Sequence, residues 1–285
     1  MSDSSRPPGP VPSAHVRELD LDSPNAARMY DYYLGGGHNF EHDRQLADQA
    51  LQVAPWLKDL ARLNRAWLRR AVLFMMEQGI RQFLDLGSGI PTVGNVHEIA
   101  HRVDPAARVV YVDHESVAVH HAHSLLVDQD VRDVGVVWAD IREPRSVLDH
   151  GEVTRLIDFS EPVGLLIAGL MLFVGDEHDP AGLVATYREK CPPGSYLGLS
   201  TQTDDQADPE TAAQLAAVLR LYEAADEQMY PRDHATIASW FAGTELVDPG
   251  LVLLHEWRPE TGPAEVTTPA RLLGYAGVGR VPDGD

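Results

Sequence analysis

The groups in this 285-residue chain best placed to do chemistry are aspartates that follow short apolar runs. Asp85 lies within Phe83-Leu84-Asp85-Leu86 and leads into Gly87-Ser88-Gly89. Asp113 closes Arg108-Val109-Val110-Tyr111-Val112, and Asp140 follows Gly135-Val136-Val137-Trp138-Ala139. A carboxylate at the end of the strand after a Gly-x-Gly turn can accept hydrogen bonds from both hydroxyls of a ribose, which suits Asp113. Asp140, one strand further on, suits an adenine amino group. Taken singly, Asp113 reads equally well as a helix cap and Asp140 as a loop carboxylate. At successive strand ends they point together to an adenosine ligand.

The turn narrows the kind of adenosine. A nicotinamide dinucleotide calls for Gly-x-Gly-x-x-Gly, so that its pyrophosphate sits on the helix N-terminus. Here Gly87-Ser88-Gly89-Ile90-Pro91-Thr92 lacks the third glycine, and the anionic Asp85 ahead of it would repel a pyrophosphate. That carboxylate suits the ammonium or sulfonium of S-adenosylmethionine instead. A dinucleotide oxidoreductase is therefore the weaker reading.

Two histidine patterns compete for attention. His97-Glu98-Ile99-Ala100-His101 matches the zinc helix H-E-x-x-H, but Asp104-Pro105 ends the helix before any third ligand. The pattern reads as the first crossover helix after the glycine turn. His114, His120, His121 and His123 read as the polar surface of another helix, since no cysteine or carboxylate recurs at ligand spacing. No metal site is expected.

Positioning these groups requires alternating strands and helices. Strands are expected at 83–86, 108–112, 135–139, 163–168, 195–200, 245–258 and 272–278. Helices are expected at about 92–103, 116–128, 179–190, 208–227 and 233–242. Such alternation implies a parallel sheet with helices on both faces. Ahead of it, residues 1–14 read as a tail rich in Ser, Pro and Gly. A helix is expected to start at Ser23-Pro24, with Ser23 as its cap, and to end at Gly35-Gly36-Gly37. Residues 43–78 read as two helices broken near Pro55, with Leu60, Leu63, Trp67, Leu68, Ala71, Val72 and Met75 on a buried face. The chain thus divides into a tail (1–14), a helical cap or lid (15–78) and a ligand-binding α/β domain (79–285).

Composition bounds the partners. With 23 Lys and Arg against 43 Asp and Glu, the formal charge is −20. This disfavours nucleic acid and anionic membrane surfaces, which need a basic face. The apolar run 163–174 is too short and too broken by glycine to span a bilayer. A single cysteine, Cys191, and a start without a signal peptide fit a reducing cytoplasm. Nothing in the sequence sets an oligomeric state.

The ordered segments 24–31 (PNAARMYD), 35–40 (GGGHNF), 83–92 (FLDLGSGIPT) and 109–113 (VVYVD) resemble the actinobacterial S-adenosyl methyltransferase family once described only as a domain of unknown function. So do 193–197 (PGSYL), 246–252 (LVDPGLV) and 275–280 (YAGVGR). The resemblance covers nearly everything after residue 20. It implies a Rossmann-like class I methyltransferase fold, with a seven-stranded, mostly parallel sheet, helices on both faces and an N-terminal helical cap. It also implies S-adenosylmethionine as cofactor, S-adenosylhomocysteine as product and a small-molecule acceptor. Asp85, Gly87, Ser88 and Gly89 would then line the amino-acid end of the cofactor, Asp113 and His114 the ribose, and Asp140 and Ile141 the adenine. Ala168 and Met171 would lie beside the methyl group. Asn25, Arg28, Tyr30 and Tyr33, with the loop from Gly35 to Phe40, would close over the cofactor, Arg28 meeting its carboxylate. In-line methyl transfer needs alignment more than a base. If a base acts, His38, Tyr33 and Asp31 are the candidates. The alternative is a cofactor-binding regulator without transferase activity.

Overall fold

The helices ahead of the sheet have ends set by local chemistry. Helix α1 (Ala26–Tyr33) is capped by Asn25, whose side chain accepts from the amides of Ala27 at 2.9 Å and Arg28 at 3.4 Å. Asn25 therefore replaces Ser23 as the cap. The carbonyl of Ser23 instead receives the Arg28 guanidinium. Gly35, at φ +82°, ends the helix in the left-handed region that glycine enters at no steric cost. Helix α2 (Glu41–Val53) follows, then a break at Ala54-Pro55, then α3 (Leu57–Glu77). The buried face of α3 includes Leu60, Trp67, Leu68, Ala71, Val72 and Met75, as the periodicity predicts.

This computed structural model describes residues 23–90, 94–128, 131–260 and 267–283. The tail expected over residues 1–14 lies outside the described residues, as do Pro91 and Thr92 at the expected start of the helix after the glycine turn. The strands are β1 (Gln82–Leu86), β2 (Arg108–Asp113), β3 (Val134–Trp138), β4 (Gly164–Ala168), β5 (Tyr196–Gln202), β6 (Glu245–Leu246), β7 (Val252–Leu253) and β8 (Gly274–Arg280). Their order is β3-β2-β1-β4-β5-β8-β6, with β7 also on β8. β1 to β5 pair in parallel; β8 runs antiparallel to β5, β6 and β7.

The sheet has eight strands where seven were expected, because the segment expected as one strand over 245–258 is two. β6 meets Gly279 and Arg280, β7 meets Tyr275 and Ala276, and Pro249, which has no N–H for a ladder, lies between them. The crossover helices are α4 (Val96–His101), α5 (Ser116–Asp128), α6 (Pro144–Leu148), α7 (Gly151–Leu156), α8 (Pro180–Arg188), α9 (Pro209–Glu223) and α10 (His234–Ser239). Alternate strand residues face opposite layers, as the two-residue period requires. Phe83, Val109 and Leu166 pack with α3 and α4, while Leu84, Val110 and Leu165 pack with α7, α8 and α10. Among the described residues no helix is long and apolar enough to cross a membrane.

A buried ion network docks the N-terminal helices on the sheet. Arg28, 2% exposed, donates from Nε to both oxygens of Asp43 on α2 at 2.9 and 3.0 Å, and from Nη1 to Glu115 after β2 at 2.9 Å. Replacing the cation strands two buried carboxylates, a change that costs about 3–5 kcal/mol. Arg28→Met is therefore expected to lower the unfolding free energy measured in urea by an amount in that range. A loss below about 1 kcal/mol would show that the network does not hold the helices.

Candidate active site

The strand order reverses between β1 and β4, and a parallel sheet opens its ligand crevice at such a point. A cavity of about 520 Å³ lies there, across the carboxyl ends of β1 to β5 and beneath α1, α3 and the segment after α9. Its size is that of a small-molecule site.

The glycine turn is stitched to β2. Val112 carbonyl accepts from the amides of Gly87 at 2.8 Å and Ser88 at 3.2 Å, and Asp113 Oδ2 accepts from the amide of Gly89 at 2.7 Å. Gly87 and Gly89 have φ of +68° and +64°. A Cβ on Gly87 would stand 2.5 Å from the Leu170 side chain, so the position has neither the conformational nor the spatial room for another residue. Asp113 Oδ1 accepts from the amide of Glu115 at 2.9 Å. Both carboxylate oxygens are thus oriented by backbone, and each keeps a lone pair for a ligand hydroxyl.

Asp85 is 4% exposed, and burial pushes its carboxyl up to about 7; nearby Arg65 opposes the rise and Asp113 adds to it. Arg65 lines the cavity beside Asp85, with its guanidinium 5.8 Å from the Tyr30 ring centroid. Its Nε is buried without a hydrogen-bond partner among the described residues. A buried donor left unpaired is costly. At the β3 end, burial alone would raise Asp140, but bidentate bonds from Arg142 at 2.9 Å leave it below the usual carboxylate range. Deeper in, Ser200 donates to Asn64 at 2.6 Å, Asn64 to Tyr30 at 3.2 Å, and Tyr30 to the Ala61 carbonyl at 3.1 Å.

The family model described as S-adenosyl methyltransferase matches residues 12–282. The chain belongs to this family. Solved structures similar to it include a DUF574 family protein from Streptomyces avermitilis MA-4680. That protein is 38% identical, with a TM-score of 0.87 over 93% of this chain and 100% of the other. Another, from Thermobifida fusca YX and assigned provisionally as a methyltransferase, is 39% identical, with a TM-score of 0.85 over 93% of this chain and 97% of its own. None of the curated proteins matches the chain. The family's methyl donor is S-adenosylmethionine, and the fold is that of class I methyltransferases.

Most of the methyltransferase residues expected from the sequence do line one cavity: Asn25, Tyr30, Tyr33, Asp85, Gly87, Ser88, Gly89, Asp113, His114, Asp140, Ile141 and Ala168. Others do not. Arg28 is consumed by Asp43 and Glu115, which corrects its expected role toward the cofactor carboxylate. Met171 is fully buried in the opposite core layer, and Leu170 and Leu172 line the cavity in its place. Of the candidate bases, His38 is exposed and its ring centroid lies 3.5 Å from that of His121, outside the cavity lining. Asp31 is buried and accepts from the His38 amide at 2.8 Å and from Asn39 at 2.7 Å, shaping the glycine loop. Tyr33 alone of the three lines the cavity. Burial pushes its hydroxyl up to about 12, against the opposing hydrogen bond with Tyr222, so it is a poor base at neutral pH.

The side chains of the H-E-x-x-H helix make local bonds. His97 Nδ1 bonds to Tyr111 at 2.7 Å, His101 Nε2 to the Ala107 carbonyl at 2.8 Å, and Glu98 accepts from Gly94 and Asn95. Among the described residues no cluster could hold a metal. Sequence reasoning missed Asn64, Arg65, Tyr222 and Glu227. One signal was available: Asn64 is a polar residue in register with Leu57, Leu60, Ala61, Leu68 and Ala71 on the buried face of α3. Glu227 meets Asn25 at 2.9 Å only through long-range folding.

Asp85 carries a pH signature. Its carboxyl is near 7 when folded and near 4 when unfolded, so the folded state holds the extra proton between these values. Its contribution to stability is present below pH 4 and is lost as pH rises through 7. Asp85→Asn removes that loss. The stability difference between variant and ligand-free wild type, measured by urea unfolding, is expected to shift toward the variant from pH 5 to pH 8. An unchanged difference would mean that Asp85 titrates normally.

Proposed function

We propose that the chain methylates a small-molecule acceptor, with the cofactor held by the residues gathered at the ends of β1 to β4. The observation that carries this reading is the Asp113 carboxylate, oriented by the Gly89 and Glu115 amides at the mouth of the glycine turn. In this reading Asp113 and His114 receive the ribose hydroxyls, and Asp140 and Ile141 bound the adenine. Asp85 faces the ammonium, with Gly87, Ser88 and Gly89 against the methionyl chain. Arg65 takes the carboxylate that the sequence had pointed toward Arg28, since its Nε is otherwise unpaired.

When bound, S-adenosylmethionine supplies an electrophilic methyl group on sulfonium sulfur. The protein's part is alignment and exclusion of water. Tyr30 is held by Asn64 and Ala61 beside Ala168, at the end of β4. Asn25 and Ala26 share the Glu227 carboxylate at 2.9 and 3.2 Å, which joins α1 to the segment after α9 across the cavity. These helices act as the lid over the cofactor. The small-molecule character of the acceptor rests on the size of the cavity and on the acidic charge of the chain.

Calorimetric titration tests the reading. S-adenosylmethionine is expected to bind, and Asp113→Ala to weaken it about tenfold or more, roughly 1.4 kcal/mol. An unaltered affinity in the variant would remove Asp113 from the site. Because a cationic ligand favours ionised Asp85, binding below pH 7 releases its proton. Affinity should rise roughly tenfold from pH 6 to pH 8, and Asp85→Asn should abolish the rise. A flat profile in the wild type would place the cofactor cation away from Asp85.

A further inference from the structure

Resting on the cofactor assignment above, the inference concerns the other half of the cavity. Of the charged lining residues, Asp85, Asp113, Glu115 and Asp140 belong to the β1–β3 end, while Asp226 and Glu227 follow α9. The end beneath α3 and α9, beside β5 and β8, is walled by Leu57, Leu60, Val218 and Leu254. Leu60 and Leu254 both pack close to Gly274, where β8 begins opposite Gln202 of β5. An anionic group seated on these side chains would lose its hydration without gaining a counter-ion, and the Glu227 carboxylate, which acts on Tyr222, would repel it. An apolar group would gain burial.

One polar feature marks this wall. Tyr33 and Tyr222, each about 5% exposed, face each other with hydroxyls 3.0 Å apart. In such a pair one hydroxyl donates to the other, and the second proton remains for a third partner. Burial raises both hydroxyls, Tyr222 well above the usual phenol range, so the pair stays protonated and offers a donor, not a base. Thr201, 3% exposed and at the end of β5, also lines the cavity, and its Oγ1 has no partner among the described residues.

We propose that this end of the cavity receives an uncharged, predominantly apolar small molecule, oriented by a hydrogen bond from the Tyr33–Tyr222 pair to one of its oxygen or nitrogen lone pairs. Anionic acceptors of the same size are rejected by the apolar wall and the Glu227 carboxylate. Removal of either hydroxyl alone leaves a donor in place, so only loss of both removes the contact.

The test uses a ring of fixed size with and without negative charge, 2-naphthol and 2-naphthoate, titrated into the full-length protein saturated with S-adenosylhomocysteine. The naphthol is expected to bind about tenfold tighter than the naphthoate. The double variant Y33F/Y222F is expected to lose most of that advantage, while each single variant keeps it. Melting temperature and the affinity for S-adenosylhomocysteine report whether the variants remain folded and loaded. If wild type binds S-adenosylhomocysteine but takes the naphthoate as well as or better than the naphthol, or takes neither probe, the acceptor class is wrong. The same holds if the double variant binds naphthol as wild type does. Failure of wild type to bind S-adenosylhomocysteine would instead overturn the cofactor assignment.

Discussion

The Arg28 guanidinium, buried between Asp43 and Glu115, is the interaction on which the site depends. Asp43 also receives the Asn25 and Phe40 amides, so one carboxylate ties the start of α1 to the start of α2. Glu115 follows Asp113 by two residues, and its amide donates to Asp113, whose other oxygen accepts from Gly89. A continuous path therefore runs from the N-terminal helices through two carboxylates and a guanidinium to the glycine turn. Buried ion networks of this kind add little net stability over apolar packing, but breaking one is costly because it leaves a charge unpaired. That asymmetry gives the helices one docked position over the crevice.

The cavity they cover is divided by charge. Along β1 to β3 lie carboxylates whose environments differ. Asp85 is desolvated and held high, Asp113 is oriented by backbone amides, and Asp140 is neutralised by Arg142. Toward β5 and β8 the wall includes Leu57, Leu60, Val218 and Leu254, with the protonated Tyr33–Tyr222 pair among them and Glu227 after α9. Between the halves the Ser200–Asn64–Tyr30–Ala61 chain crosses from β5 to α1 and α3. A fully satisfied polar chain in a low-dielectric interior is rigid, and rigidity at the midpoint is what in-line transfer requires.

Much of this was legible in order along the chain. Each parallel strand is buried on both faces and reads as a short apolar run, and each is followed by a turn whose residues carry unusual constraints. Asp85, Gly87, Gly89, Asp113 and Asp140 were visible because local backbone chemistry places them at strand ends whatever surrounds them. The two-part edge of the sheet was less so: Asp248-Pro249-Gly250 interrupts 245–258 in the sequence, but that the residues on both sides pair with the same strand, β8, is shown only by the sheet.

The sequence by itself determined the alternation of strands and helices, the glycine turn and the aspartates that follow it, all of them consequences of periodicity and of backbone conformations open to few residues. Tertiary structure decided which long side chains reach the cavity. Arg28 and Arg65 are alike in composition and both lie on N-terminal helices, yet one is neutralised by carboxylates from α2 and the β2–α5 turn, while the other lines the cavity, its Nε without a partner among the described residues. Met171 and Leu172 adjoin in sequence and part to the core and the cavity. Such choices depend on partners distant in the chain, whose approach is set by packing and not by local pattern.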